Sequence, residues 1–128
     1  MGDDLWQPVL DRLGNLKASW PGSAWTWDGR FSAVASQFTT ALEPAVRASA
    51  VLALTRGWTL KTLAQAPQAL RELCEKTGGL RPGQRLLAGD TDALFGLWWP
   101  WGSGENITLR IGISVAEVTP RLRATFGV

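Results

Sequence analysis

The sequence predicts one α+β domain spanning residues 1–128, with helices first and an antiparallel β-meander last. Two patterns support this fold class. Apolar residues recur at intervals of three and four in the first third of the chain, as on amphipathic helices. Between Ile107 and Ala116 apolar and polar residues alternate, which is typical of a strand with one buried face. A chain of 128 residues is long enough for one domain with its own core.

Two helices are predicted before the middle of the chain. The first begins at Asp3 and Asp4 and stops at Gly14 and Asn15, with continuation of the apolar face to Leu16 as the alternative. Its apolar face consists of Leu5, Trp6, Val9, Leu10 and Leu13. The second helix begins at Asp28 and ends at Pro44. Its apolar face consists of Phe31, Val34, Ala35, Phe38 and Leu42.

A strand and a third helical segment are predicted next. Residues 45–56 are ambiguous, because their alanines favour a helix whereas Val46, Val51 and the following Gly57 favour a buried strand. The strand is the preferred interpretation. Leucines at helical spacing then predict a helical segment over residues 59–79.

The meander is predicted from three apolar runs separated by turn residues. Its strands cover residues 85–89, 93–99 and 107–116, and residues 100–106 form the last hairpin loop. Residues 119–128 show no regular period, so no element is predicted there.

Trp98 and Trp99 are consecutive in a predicted strand, so their side chains point to opposite faces of the sheet. Trp99 shares its face with Phe95 and Leu97. The more apolar company predicts that Trp99 faces the core and that Trp98 lies on the other face.

The residue inventory excludes several kinds of catalysis. The chain contains no histidine, which removes Ser-His-Asp and Cys-His nucleophiles and most zinc sites. The single cysteine, Cys74, shares an apolar helical face with Leu70 and Leu73, so we expect a buried thiol. The sequence therefore predicts no catalytic residues, no metal and no cofactor.

Charge and targeting patterns narrow the expected partners and location. The net charge of +2 is small for a nucleic-acid-binding protein, so nucleic acid is a weaker option than a protein partner, and we expect the arginines to be solvated. These are Arg81, Arg85, Arg110, Arg121 and Arg123. The sequence shows neither a secretory leader nor a membrane-spanning stretch, and its lone cysteine suits a reducing compartment. A cytoplasmic protein without membrane contact is the expectation.

Four carboxylates are the candidates for acid–base chemistry. Asp90 and Asp92 lie two residues apart and are expected to close a turn. Asp28 and Glu105 are candidates to face each other across a tryptophan-lined groove, as in two-carboxylate glycosidases.

The eight tryptophans leave two interpretations open. They either cover the ends of a small sheet or form an exposed binding patch. Trp6 is assigned to the core, and Trp25 and Trp27 to one face of a short strand. The predicted binding residues are Trp98, Trp101, Trp25, Trp27, Trp20 and Glu105.

These residues suggest a non-enzymatic protein-binding domain with a tryptophan-rich surface around residues 98–106. Such a domain acts as an adaptor, an inhibitor or a self-associating module, and its partner is another protein or a second copy. The alternative is a small carbohydrate-binding or carboxylate-dependent carbohydrate-active protein, with a tryptophan as its stacking platform.

Overall fold

The structure, a computed structural model, describes residues 4–128. Its elements follow one another along the chain as helices α1–α4 and strands β1–β6. In order, they are α1 (Gln7–Ser19), β1 (Thr26–Asp28), β2 (Ala33–Thr39), α2 (Glu43–Ala50), β3 (Arg56–Thr59), α3 (Gln68–Lys76), β4 (Arg85–Ala88), β5 (Leu94–Pro100), β6 (Asn106–Ile113) and α4 (Thr119–Phe126).

The strands form one antiparallel sheet in the order β1-β2-β6-β5-β4-β3. The meander predicted at the end of the chain is confirmed, since β4, β5 and β6 pair consecutively. The hairpin of β1 and β2 is added on the other side of β6, with Val34 opposite Ile111 and Phe38 opposite Ile107. The chain is therefore α+β with one sheet.

Helices cover the two faces of the sheet unequally. Three helices, α1, α2 and α4, pack on one face, which we call the three-helix face, and they bury the larger core. The inward residues of the central strands are Val34, Phe38, Leu94, Trp98, Ile107, Leu109, Ile111 and Ile113. Helix α3 alone packs on the other face, the α3 face, where Leu70 and Cys74 contact Leu86, Phe95 and Leu97.

The predicted second helix is wrong, because residues 33–39 form strand β2. Val34 and Phe38 are four residues apart, and an even spacing places both side chains on one face of a strand as well as of a helix. Ser36 lies between them on the same face and is also buried. This period of two identifies the strand.

The predicted strand over residues 45–56 is also wrong, because residues 43–50 form α2. Pro44 does not end a helix but occupies the first turn of this one, where its missing N–H removes no hydrogen bond. Val46 and Ala50 lie one turn apart and face the core. The strand in this region, β3, begins only at Arg56.

The limits of the other predicted helices also change. Asp3 lies outside the described residues; α1 begins at Gln7 and continues beyond Gly14, because Leu16 extends the buried face of Leu13. The segment 59–79 contains a 3-10 turn and then α3.

A fourth helix, α4, was not predicted. It covers part of the three-helix face through Leu122 and Phe126, which lie four residues apart and are buried.

Candidate binding surface

Half of the α3 face has no helix above it. Helix α3 packs over the β3-β4-β5 side, so the β1-β2-β6 side remains a shallow groove of about 370 Å³. We call this half the open sheet half. Side chains on its floor come from three neighbouring strands: Thr26, Asp28, Ala35, Gln37, Thr108 and Arg110.

An ion pair occupies the end of this floor nearest the β1–β2 turn. Arg110 Nε donates to Asp28 Oδ2 at 2.9 Å, and the two side chains are only 13% and 15% exposed. The backbone N–H of Arg30 donates to the other Asp28 oxygen at 3.1 Å. Both carboxylate oxygens are therefore occupied within the protein.

This environment keeps the Asp28 carboxylate ionised. Partial burial acts to raise its pKa, but hydrogen bonds from Arg110 and Arg30 outweigh burial and hold the pKa below its usual value. A carboxylate with a lowered pKa is a poor general acid at neutral pH. Asp28 therefore supplies a fixed negative charge.

Aromatic rings fix the position of Arg110. Its guanidinium carbon lies 5.1 Å from the ring centroid of Phe31 and 5.0 Å from that of Trp99. These two rings pack edge to face at 5.2 Å. Cation–π contacts and the ion pair together make this part of the groove rigid.

Trp101 lies at the rim of the open sheet half, on the β5–β6 hairpin, and contacts Thr108 of the groove floor. Its side chain is 54% exposed, and its indole Nε1 donates to Thr108 Oγ1 at 2.9 Å. Its backbone N–H donates to the carbonyl of Asn106 at 2.8 Å, which closes the hairpin. The exposed ring is therefore held in place before any ligand arrives.

The hairpin loop is also tied to the end of β2. The backbone N–H of Thr40 donates to the carbonyl of Glu105 at 2.9 Å, and the Thr40 hydroxyl donates to the carbonyl of Gly104. Glu105 is exposed beside Trp101 on this loop.

The structure separates the six predicted binding residues into two groups. Trp101 and Glu105 are exposed on the hairpin loop, whereas four tryptophans pack in or against the larger core. Trp25 and Trp98 are only 8% and 4% exposed, and Trp20 donates its Nε1 to Ser36 Oγ at 2.8 Å. The structure therefore does not bring these tryptophans together in one exposed patch.

Trp27 is half-buried on the three-helix face, where the guanidinium of Arg123 in α4 lies 4.5 Å from its ring. Helix α4, which was not predicted, is therefore one reason that this ring is covered. Trp6 is also half-buried and packs against the larger core.

The two rings of Trp98 and Trp99 point to opposite faces of the sheet as predicted, but the assignment of the core to Trp99 is wrong. Trp98 enters the larger core on the three-helix face, whereas Trp99 is half-buried on the α3 face. The sequence argument assumed one apolar face, but helices cover parts of both faces. The larger core lies on the face of Trp98, although Trp98 has fewer apolar neighbours along its own strand.

The remaining carboxylates do not form an acid–base pair. Asp28 is at the level of Gly112, six residues along β6 from Asn106, so about 20 Å of strand separates it from Glu105. Asp92 accepts a hydrogen bond from Arg56 at 2.8 Å, and Asp90 pairs with Arg12. Asp28, Glu105 and the turn that carries Asp90 and Asp92 therefore lie in three separate parts of the fold.

Cys74 is buried as expected, with 1% of its surface exposed. Burial raises the pKa of its thiol, and the negative charge of Glu75 raises it further. Within residues 4–128 no cluster of three metal-ligating side chains is present.

Sequence reasoning missed the cluster of Arg110, Phe31 and Trp99 at one end of the groove. One indication was available: Arg110 is the only charged residue in an otherwise uncharged strand, so it needed a partner. Its partner, Asp28, is 82 residues distant in sequence.

The fold and surface define an α+β domain whose single sheet carries a polar groove with aromatic side chains beside it. The chain shows no significant similarity to any family model, curated protein or solved structure. No helix in the described part of the chain has the length and apolar character needed to cross a bilayer.

Proposed function

We propose that this chain is a protein-binding domain and that Trp101 anchors a partner protein at the rim of the open sheet half. The observation that carries the proposal is the combination of a 54% exposed indole ring with a satisfied indole N–H. Tryptophan is enriched among the residues that dominate binding energy, and a ring held in place loses little conformational entropy on binding.

The surroundings of Trp101 are suited to contact with the surface of a partner protein. The groove beside it offers hydroxyl and amide groups from Thr26, Gln37 and Thr108 around the Asp28–Arg110 ion pair. An aromatic anchor beside a polar rim is the usual arrangement of a protein interface. Such a domain acts as an adaptor, an inhibitor or a self-associating module.

A comparison of three baits tests the proposal. Wild type, Trp101→Ala and Leu5→Ala are immobilised, exposed to an extract of the source cells, and analysed by mass spectrometry. Leu5→Ala is the matched control, because Leu5 is 80% exposed and lies in the turn before α1. We expect a protein that is retained by wild type and Leu5→Ala but lost from folded Trp101→Ala.

The captured protein is then purified and titrated against the same three variants. Equal affinity for wild type and Trp101→Ala would contradict the proposal. Sedimentation velocity of the wild type over a range of concentrations shows whether the partner is a second copy.

Carbohydrate binding is a second candidate, because Trp101 and the polar floor of the groove lie on the same part of the sheet. The proposal is for binding rather than hydrolysis, since both carboxylate oxygens of Asp28 are engaged within the protein by Arg110 and Arg30. A glycan array with wild type and Trp101→Ala tests it. If no glycan on the array binds wild type and fails to bind Trp101→Ala, this candidate is eliminated.

A further inference from the structure

A second cleft lies on the three-helix face, on the opposite side of the sheet from the open sheet half. Helix α2 leaves a gap of about 220 Å³ beside the start of β4. We call this gap the α2–β4 cleft. Its lining consists of Arg47, Ala50, Val51, Leu54, Arg85, Leu87 and Trp98.

The lining is apolar and partly exposed. Val51 at the end of α2 is 53% exposed, and Leu87 is half-buried, although both are apolar. Small-molecule pockets typically measure about 300–1,000 Å³, so this cleft suits one or two apolar side chains rather than a whole ligand.

Two guanidinium groups border the cleft. Arg47 lies 5.6 Å from the ring centroid of Trp98 and forms an ion pair with Glu43 at 3.2 Å. Arg85 is the register partner of Trp98 across β4 and β5, and it is half-buried. No carboxylate of residues 4–128 lies within ion-pair distance of Arg85. Glu43 balances Arg47, so Arg85 gives the cleft its excess positive charge.

We infer that the α2–β4 cleft binds an acidic segment of a partner protein that inserts one apolar side chain. The apolar side chain packs against Val51, Leu87 and Trp98, and a neighbouring carboxylate pairs with Arg85. Arginine is suited to this role because its planar fork binds a carboxylate with two parallel hydrogen bonds. Such a segment supplies an apolar side chain that fills the cleft and a negative charge that pairs with Arg85.

The inference does not depend on the proposed role of Trp101, since the cleft and the Trp101 rim lie on opposite faces of the sheet. Defined peptides test it without a known partner. Each peptide has eight residues with a central leucine, phenylalanine or tryptophan, flanked by aspartate and glutamate. Matched peptides carry asparagine and glutamine, or lysine, at the flanking positions.

Binding is measured by titrating the ¹⁵N-labelled full chain. We expect at least one acidic peptide to shift the resonances of Trp98 Nε1 and Arg85 Nε, and its affinity to fall with increasing salt. No shift of these two resonances by any acidic peptide would overturn the inference. Equal affinity for the uncharged peptide would overturn it too, because the charge would then contribute nothing.

Four variants complete the experiment. Arg85→Gln should weaken binding about tenfold, and Val51→Glu should abolish it by placing a negative charge in the cleft. Arg81→Gln, outside the cleft, and Trp101→Ala, on the other face, should bind as wild type does. Unchanged binding by folded Arg85→Gln would refute the proposed site. Loss through Trp101→Ala would place the peptide on the surface proposed above instead.

Discussion

At the scale of single residues, Trp98 and Trp101 show how three positions in sequence change the role of a side chain. Trp98 is 4% exposed and packs with Phe38 at a centroid distance of 5.0 Å, whereas Trp101 is 54% exposed and held by one side-chain hydrogen bond. The buried ring of Trp98 stabilises the fold, whereas the ring of Trp101 lies on the surface and is available for binding.

Alanine substitutions should separate these two roles. Trp98→Ala should lower the free energy of unfolding by about 3–5 kcal/mol, because it leaves a cavity in the larger core. Trp101→Ala should lower it by roughly 0.5–1.5 kcal/mol, the contribution of the bond to Thr108. Urea denaturation of both variants measures the difference. A loss for Trp101→Ala as large as that expected for Trp98→Ala would show that Trp101 is a structural residue.

The Asp28–Arg110 pair should make the protein sensitive to acid. The pKa of Asp28 is lowered in the folded state, so its contribution to stability is complete above the unfolded pKa of about 3.9. This contribution is lost as the pH falls through the lower, folded pKa. Asp28→Asn should therefore cost roughly 1–3 kcal/mol at neutral pH and progressively less as the pH falls below the unfolded pKa into acid.

The measurement is urea denaturation of wild type and Asp28→Asn across this pH range at high salt. Salt screens the exposed pairs Asp4–Arg121 and Asp90–Arg12, which also lower carboxylate pKa values. Glu117→Gln, at an exposed position, is the control. A stability difference between wild type and Asp28→Asn that persists unchanged in acid would contradict the assigned ion pair.

At the scale of elements, the contact of β5 with β6 depends on a glycine. Gly112 lies opposite Phe95 in the ladder, and the Phe95 ring covers it. A Cβ atom at this position would lie 2.7 Å from Cε1 of Phe95. The ring is 3% exposed within the core under α3, so it has little room to move.

Gly112→Ala should therefore lower the free energy of unfolding by about 1–3 kcal/mol through overpacking. Gly102→Ala, in the hairpin loop, is the matched control, since a Cβ there meets nothing within 4 Å. Its effect should stay within about 0.5 kcal/mol. Equal melting temperatures for the two variants would show that the Phe95 ring can move away from position 112 without loss of stability.

Local sequence patterns predicted some elements and failed for others, for physical reasons. The alternation in β6 identified that strand, because one of its faces lies under a continuous core. The same reasoning failed for β2, where the spacing of Val34 and Phe38 fits both periods. It also failed for α2, which is only eight residues long and depends on packing more than on propensity.

The candidate site was predictable only in part, for a related reason. Trp101 follows Pro100 in a hairpin loop, so its exposure was a reasonable expectation. The burial of Trp25 and Trp98 depends on which helices cover the sheet, and the contact of Arg110 with Asp28 depends on a strand order set by distant residues. Neither is visible in a local pattern.

At the scale of the whole molecule, one sheet joins two cores. Cys74 reports on the core under α3, and most tryptophans report on the larger core. Because β5 contributes Trp98 to one core and Phe95 to the other, we expect both cores to be lost together.

Thiol labelling in urea tests this expectation. Cys74 is buried and its raised pKa keeps it protonated, so a thiol reagent should react slowly with the native protein. The urea midpoint for labelling should coincide with the midpoint for tryptophan fluorescence. Labelling at clearly lower urea would show that α3 detaches while the larger core remains folded.

The pairing of β2 with β6 has a consequence for the way the chain acquires its structure. Thr39 lies opposite Asn106 and Ala33 opposite Gly112, so the ladder joins segments about 70 residues apart. During synthesis the β1–β2 hairpin emerges early, and its neighbour in the sheet follows only after the meander. Until then Val34 and Phe38 lack the strand that covers their flank. Closing so large a loop is slow compared with forming local contacts, so for that interval the nascent first half presents an apolar strand with one unpaired edge. The last long strand of the chain is thus the one that completes the sheet.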